Sequence, residues 1–345
     1  MILDEIIGHD RVIDLLRREV AHPANSYLFV GASGIGKATV ARGFAQLLLC
    51  PTGGAHDEPC RSCRRIDSRN HPDLIEVGME GRQSIGSDQA RTIVQAANMT
   101  PVESPMKVFL VPEAGSLTEQ AANVLLKTLE EPTSTTVFLL VAEAEDDLPS
   151  TVNSRCRTIH LGRVPDATIE PALLERGVDP ERATALARVS GGRPGMALDL
   201  IGDEDIDGFR KLWLGLPTRF TGRPGEAAQL VDEVESWIAP LVEKTAEATS
   251  EDLTKDQKEK AKRRIRSALM ESGLEILATW YADSVAIQYG APLRNSDLPV
   301  ADLTLVSPKR AVANTELILD AVADLNANLR PTLLLTNLFT TLGSD

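Results

Sequence analysis

Aromatic residues are scarce in this 345-residue chain, and so are cysteines and long apolar runs. Only 4% of the residues are aromatic, and four are cysteines. No run approaches the roughly 18 consecutive apolar residues that a membrane span requires. The first residues, Met1-Ile-Leu-Asp-Glu5, lack the basic region and apolar core of an export signal. We therefore expect a cytoplasmic protein with no membrane partner.

An excess of positive charge is also missing. The chain has 50 acidic and 36 basic residues, a net charge of −14 and a pI of about 4.9. A protein that binds DNA alone through many phosphates is usually basic. Any role on nucleic acid is therefore expected to be shared with partner chains.

Short apolar runs alternate with helical patterns over the first 160 or so residues. The runs are 27–30, 74–77, 108–111, 137–141 and 158–161. Strands that alternate with helices indicate a parallel sheet covered by helices. From about residue 166 the pattern is helical throughout. The sequence thus predicts three domains: an α/β domain with a five-stranded parallel sheet (1–162), a small helical lid (163–203) and an all-α domain (204–345).

A glycine-rich loop, Gly31-Ala-Ser-Gly-Ile-Gly-Lys37, follows the first apolar run and opens an amphipathic helix. This context makes G-x-x-x-x-G-K a phosphate-binding loop, with backbone N–H groups and a lysine directed at phosphate. The candidate nucleotide contacts are Gly31, Ser33, Gly34, Gly36, Lys37, Ala38 and Thr39. A hydroxyl normally follows the lysine and holds Mg²⁺, but Ala38 has none and Thr39 lies one step round the helix. Binding of ATP or ADP stays open, and hydrolysis is not expected.

The second nucleotide element is degenerate as well. A strand that ends in Asp-Glu would supply an Mg²⁺ carboxylate and a base that activates water. Here the strand over 107–111 ends in Pro112-Glu113. Glu113 keeps the position of the base and is a catalytic candidate, or else it is a solvated carboxylate at a strand end. With Ala38 and Pro112, two Mg²⁺ positions are lost, so we expect no self-contained hydrolysis.

One long motif carries a resemblance to a known family. The segment from Asn123 to Pro132, NVLLKTLEEP, is followed by a strand and then by Ser154-Arg155-Cys156. This combination resembles the AAA+ clamp-loader subunits of bacterial replication, and the degenerate ATP motifs are most similar to their delta-prime type. The likeness is strong from residue 1 to about 200 and is one of architecture beyond that point.

The resemblance implies a RecA-like AAA+ domain, a lid and an oligomerisation collar, in a ring with delta and gamma or tau subunits. Such a ring belongs to the DNA polymerase III holoenzyme and loads the sliding clamp onto primed DNA. The chain would be a component of that DNA-directed DNA polymerase complex without intrinsic catalysis. Polymerase chemistry itself is not indicated, since we find no carboxylate pair suited to two-metal nucleotidyl transfer.

The resemblance further implies that Arg155 is an arginine finger for the ATP of a neighbouring gamma or tau subunit. A guanidinium at the γ-phosphate stabilises transition-state charge, an effect of about 10³- to 10⁵-fold in rate. The alternative is that Arg155 only pairs at the end of a surface segment. In active relatives another arginine, at the start of a lid helix, senses the γ-phosphate. That position aligns with Gly195, and Arg193 is two residues away.

Three clustered cysteines match part of the zinc module of this family. Cys50, Cys60 and Cys63 have the C-x9-C-x2-C spacing, and Ile66 occupies the place of the fourth cysteine. A closed structural zinc site takes four ligands. Three residues are candidates for the fourth: His56, Asp67 and His71. Either one of them completes the site or the thiols remain from a lost one.

Two other functions fit parts of the pattern. A gamma- or tau-type motor would hydrolyse ATP by itself, and a small-molecule P-loop kinase would need an acceptor-binding lid and a base beyond Glu113. A basic run over 255–266 could touch DNA, but it alternates with Asp256 and Glu259. That alternation favours a solvated helix end.

Overall fold

The computed structural model describes residues 1–78, 84–131, 133–202, 206–248, 255–295, 298–326 and 330–344. The chain divides into two compact units, Met1–Ala172 with Gly192–Met196, and Leu173–Gly191 with Ala197–Asp345. The predicted boundary at 203/204 and Pro132 of the long motif lie outside the described residues. The division into three domains stays a prediction.

The first unit is built on one parallel sheet. Its strands are β1 (Ser26–Val30), β2 (Leu74–Glu76), β3 (Lys107–Val111), β4 (Thr136–Ala142) and β5 (Arg157–His160). Their order is β2-β3-β4-β1-β5, and all neighbours pair in parallel. The predicted five-stranded parallel sheet is confirmed. Parallel strands covered on both faces read as unbroken apolar runs, which is why the sequence reveals them.

Helices cover both faces of this sheet. They are α1 (Asp10–Glu19), α2 (Lys37–Leu49), α3 (Arg61–Asp67), α4 (Ser87–Ala97), α5 (Glu119–Glu130) and α6 (Ser150–Asn153). The next helix, α7 (Asp166–Glu175), follows β5, and its last turn belongs to the second unit. Alternate strand residues point to opposite faces. Tyr27 therefore packs edge-on against Phe44 of α2, with ring centres 5.0 Å apart, whereas Phe109 stacks on Phe138 at 5.1 Å in the core under α4 and α5.

The second unit has helices and no strand among its described residues. Its helices are α8 (Pro180–Val189), α9 (Pro194–Asp199, which begins in the first unit), α10 (Ile206–Gly215), α11 (Pro224–Ala248), α12 (Lys255–Gln288), α13 (Val300–Leu303), α14 (Pro308–Asn326) and α15 (Pro331–Gly343). This agrees with the predicted helical C-terminal part. No helix in the described ranges is long and apolar enough to cross a membrane.

Cations of the basic run on α12 pair with acidic residues of α11. Lys262 forms an ion pair with Glu243, and Arg266 forms one with Glu235. These contacts agree with a helix surface on which Lys262 and Arg266 are paired within the chain. They do not single out the run as a DNA contact.

Replacing Gly273 with alanine is expected to destabilise the second unit. A Cβ atom at Gly273 of α12 would lie 1.9 Å from Cε2 of the fully buried Trp213 on α10. Overpacking of this kind costs about 1–3 kcal/mol, occasionally more. Urea unfolding should therefore show a lower midpoint for Gly273→Ala than for Gly215→Ala, a helical glycine with open space around it. Equal midpoints would contradict the packing argument.

Candidate functional site

The glycine-rich loop has the strand–turn–helix geometry that its motif requires. It leaves β1 at Val30 and enters α2 at Lys37. Gly36 caps the helix with φ of 98°, a conformation that residues with a side chain rarely adopt. Gly31 passes so close to the chain after β5 that a Cβ atom would lie 2.4 Å from the Leu161 carbonyl oxygen.

Lys37 is held by the loop itself. Its Nζ donates hydrogen bonds to the carbonyl oxygens of Gly31 (2.6 Å) and Ala32 (2.7 Å), and the residue is only 8% exposed. A lysine that serves a nucleotide directs its ammonium group at the phosphates. Next to it, Ala38 is half-buried without a hydroxyl, and Thr39 is exposed. The loop thus has phosphate-loop shape, with its cation turned onto its own backbone.

The start of α9 lies directly on this loop. The Gly195 N–H donates to the Gly34 carbonyl oxygen at 2.8 Å. A Cβ atom at Gly195 would lie 2.7 Å from the same oxygen, so an arginine there would force the two segments apart. Arg193 is fully buried, and its Cβ lies beside Gly34. The position aligned with the sensor arginine therefore contacts the loop but has no side chain.

His9 also contacts the loop, which sequence reasoning missed. Its Nε2–H donates to the Ile35 carbonyl oxygen at 3.1 Å. Burial lowers the pKa of His9, while the bond to Ile35 and the nearby Asp10 act in the opposite direction. The neutral imidazole is thus favoured in this place. The one available signal is the Gly8-His9 turn before α1, where His9 takes a left-handed conformation with φ of 62°.

Glu113 lies just beyond β3, at the carboxyl edge of the sheet, which is also the edge where β1 leads into the loop. Its backbone oxygen accepts hydrogen bonds from the Ser116 N–H (3.0 Å) and hydroxyl (2.6 Å). Pro112 and Glu113 are both half-buried. The placement agrees with the position of a catalytic base, whereas its role stays a prediction.

Arg155 lies at the opposite edge of the sheet. It precedes β5, whose first residue, Arg157, pairs with Tyr27 near the start of β1. A strand rises about 3.3 Å per residue, so Gly31 lies about 13 Å beyond Tyr27 along β1. An open hollow at this amino edge is lined by Ala24, Asn25, Ser26, Leu129, Glu130, Ser154, Arg155 and Arg157. Arg155 thus faces away from the chain's own phosphate loop.

Both arginines of this hollow form ion pairs within the chain. Arg155 Nη2 pairs with Glu130, and Nη1 donates to the Thr151 carbonyl and to Ser154 Oγ. Arg157 pairs with Glu19 at 2.8 Å. Within the single chain, the contacts of Arg155 are therefore those of an ion pair at the surface, as the simpler interpretation predicts.

The cysteine cluster joins the end of α2 to the start of α3. Cys50 caps α2, Cys60 caps α3, and Cys63 lies in the first turn of α3. The Cys50 and Cys60 sulfurs are 3.9 Å apart, and Cys60 Sγ accepts the Cys63 N–H at 3.5 Å. All four cysteines of the chain are free thiols.

His56 is the fourth member of this cluster. Its Nε2 is 3.2 Å from Cys63 Sγ, and the ligand atoms of all four residues lie within 4.8 Å of one another. The other two candidates are engaged elsewhere: Asp67 accepts from Gln46 Nε2 at 2.7 Å, and His71 Nε2 is 3.0 Å from Ser62 Oγ. Ile66, where the family has a cysteine, is fully buried in the core.

The geometry of this set suits a metal ion. In a tetrahedron with metal–sulfur bonds of about 2.3 Å, the sulfurs are about 3.8 Å apart. Burial acts to raise the pKa of Cys50, but hydrogen bonds from Thr52 and Gly54 outweigh it and lower that pKa to about 6. Burial and the neighbouring Cys60 raise the pKa of Cys63. These three thiols and the imidazole could hold one metal ion.

Comparison with known proteins supplies the relatives of this chain. A family model described as "DNA polymerase III, delta subunit" matches residues 8–165. The DNA polymerase III subunit delta' of Bacillus subtilis is 31% identical over 283 residues, which are 81% of this chain and 78% of that protein. The subunit tau/gamma of Haemophilus influenzae is 32% identical over 173 residues, but these are only 49% of this chain and 25% of that protein.

A solved structure shows a weaker likeness. The gamma subunit-related protein of Thermotoga maritima aligns with 96% of this chain and 98% of its own, at 20% identity and a TM-score of 0.40. The delta' match covers 81% of this chain, which is more than either compact unit contains. With 31% identity over more than three quarters of both proteins, the chain belongs to the delta-prime family of DNA polymerase III subunits.

Proposed function

We propose that this chain is the clamp-loader subunit that offers Arg155 to the ATP of a neighbouring tau or gamma subunit. The observation that carries the proposal is the position of Arg155 at the sheet edge opposite the chain's own phosphate loop. From there the guanidinium contacts a nucleotide bound to the neighbouring subunit and stabilises charge on the transferred phosphoryl group.

The loop of this chain supports a partner without hydrolysis of its own. Lys37 binds the loop carbonyls, Ala38 and Pro112 lack the Mg²⁺ ligands, and Gly195 lacks the sensing side chain. Glu113 alone cannot replace the missing metal contacts. Residues 31–39 thus keep the shape of an ATP or ADP site, while the Mg²⁺ ligands are missing and the lysine is engaged by the loop.

The partners in this proposal are the delta and the tau or gamma subunits. The sliding clamp and primed DNA are reached through the complex, which agrees with the net charge of −14. The lid at 163–203 and the collar at 204–345 would be separate domains, the collar joining the ring.

Zinc is the metal proposed for the cysteine cluster. Three thiolates and one imidazole form a closed set of four ligands, which is typical of structural rather than catalytic zinc. Cys50, His56, Cys60 and Cys63 would hold the ion and fix the 51–59 segment between α2 and α3.

Reconstitution tests this function. A clamp loader assembled from the cognate delta and tau or gamma subunits is expected to load the clamp onto primed DNA only when this chain is present. The isolated chain with Mg²⁺ is expected to hydrolyse ATP no faster than its Lys37→Ala variant. Turnover by the isolated chain that Lys37→Ala abolishes would instead support the gamma- or tau-type motor.

A further inference from the structure

The last residue of α5 is a glutamate that pairs with Arg155. Glu130 belongs to the NVLLKTLEEP motif, and its carboxylate pairs with Arg155 Nη2 across 25 positions of sequence. Both side chains line the hollow at the amino edge of the sheet. A guanidinium that must bind a neighbour's phosphate is therefore already bound to an anion of its own chain.

The other nitrogens of Arg155 leave Nη2 as the group for which Glu130 and a phosphate compete. Nη1 donates to Thr151 and Ser154, while Nε is buried and donates no hydrogen bond within the described residues. Arginine recognises phosphate best with two parallel N–H donors. With Nε buried, such a fork uses Nη1 and Nη2, and Glu130 already accepts from Nη2.

The second arginine of the hollow provides a comparison. Glu19, the partner of Arg157, is only 12% exposed and also accepts a hydrogen bond from the Tyr27 hydroxyl at 3.0 Å. Glu130 is 46% exposed, and Arg155 is 30% exposed. Exposed ion pairs are weak and easily exchanged, whereas a half-buried carboxylate that also accepts a second hydrogen bond is held more firmly. Of the two carboxylates, Glu130 is the one that can release its arginine.

We propose that Glu130 is a positioning residue that holds Arg155 against the end of α5 and releases it to the γ-phosphate of the ATP that the adjacent subunit binds. This inference rests on the proposed function of Arg155. The phosphate carries more negative charge than one carboxylate, so it takes the guanidinium when ATP is present. When phosphate departs, Glu130 takes the guanidinium back. The carboxylate thus holds the arginine at the surface and also competes with the neighbour's phosphate for it.

Removing the charge of Glu130 should therefore raise activity. In a reconstituted clamp loader, Glu130→Gln is expected to increase DNA-stimulated ATP hydrolysis at low ATP by about two- to fivefold, the range of an exposed ion pair. Glu131→Gln is the matched control, because it removes the adjacent exposed carboxylate of the same motif. The gain should shrink as salt is added, since screening weakens the Glu130–Arg155 pair of the wild type.

A double-mutant cycle with Arg155→Ala completes the test. If Glu130 acts through Arg155, Glu130→Gln has no effect when Arg155 is alanine. The inference is overturned if Glu130→Gln leaves the rate unchanged or lowers it in an assembled complex, or if the gain persists without Arg155. An unchanged rate for Arg155→Ala alone would instead contradict the proposed function itself. The two failures are therefore distinguishable.

Discussion

Replacing Arg155 with alanine is expected to slow ATP hydrolysis at the neighbouring subunit by about 10³-fold or more. The guanidinium lies at the sheet edge opposite the chain's own phosphate loop, so its loss should slow ATP hydrolysis only at the neighbouring subunit. DNA-stimulated hydrolysis by the reconstituted complex is the measurement. A ring holds several ATP sites. The phosphate-loop lysines of the other ATPase subunits should therefore be replaced with alanine, so that the measured rate comes from the one site that Arg155 affects.

Arg157→Ala is the matched control for this experiment. Arg157 lines the same hollow, but its partner Glu19 is anchored by Tyr27, so its removal should change the rate far less. Gel filtration must show that both variants enter the complex. An unchanged rate for Arg155→Ala in an intact complex would contradict the proposal, and equal losses for both arginines would indicate a general effect of charge at this edge.

Loss of His56 is expected to remove zinc from the chain. The purified protein should contain one zinc ion, and His56→Ala and Cys63→Ser should both lose it, because each removes one of four ligands. Structural zinc binding contributes about 10–16 kcal/mol in small zinc-dependent domains. A chelator should therefore lower the Tm and expose the segment between α2 and α3 to proteolysis. Metal content by atomic spectroscopy and a thermal melt provide the two readouts.

Two further variants make the ligand assignment specific. Asp67→Asn should keep its zinc, because Asp67 is bonded to Gln46 and lies outside the cluster. Adding Ile66→Cys to His56→Ala should not restore the metal, since the side chain at position 66 is buried in the core. Full zinc content in His56→Ala, or its loss in Asp67→Asn, would show that another residue is the ligand.

The sheet was predictable because its three central strands, β1, β3 and β4, are buried on both faces and appear as apolar runs. The loop was equally visible, since its glycines and lysine stand at fixed positions between a strand and a helix. The fourth metal ligand was not, because spacing alone does not say how the 51–59 segment folds back toward α3. The Arg155–Glu130 pair and the bond from His9 to Ile35 join residues 25 and 26 positions apart. Such contacts depend on packing that no local pattern records.

The bond between Gly195 and Gly34 has a consequence for the thermodynamics of this subunit. A ligand stabilises a protein only by the contacts that it adds to the folded state, in proportion to RT ln(1 + [L]/Kd). Here Lys37 and the Gly195 N–H donate to loop carbonyl oxygens, whereas phosphate binds loop N–H groups. A nucleotide would therefore compete with those carbonyls for the Lys37 ammonium group, so this lysine would contribute less to binding. The loop draws part of its stability from hydrogen bonds within the chain.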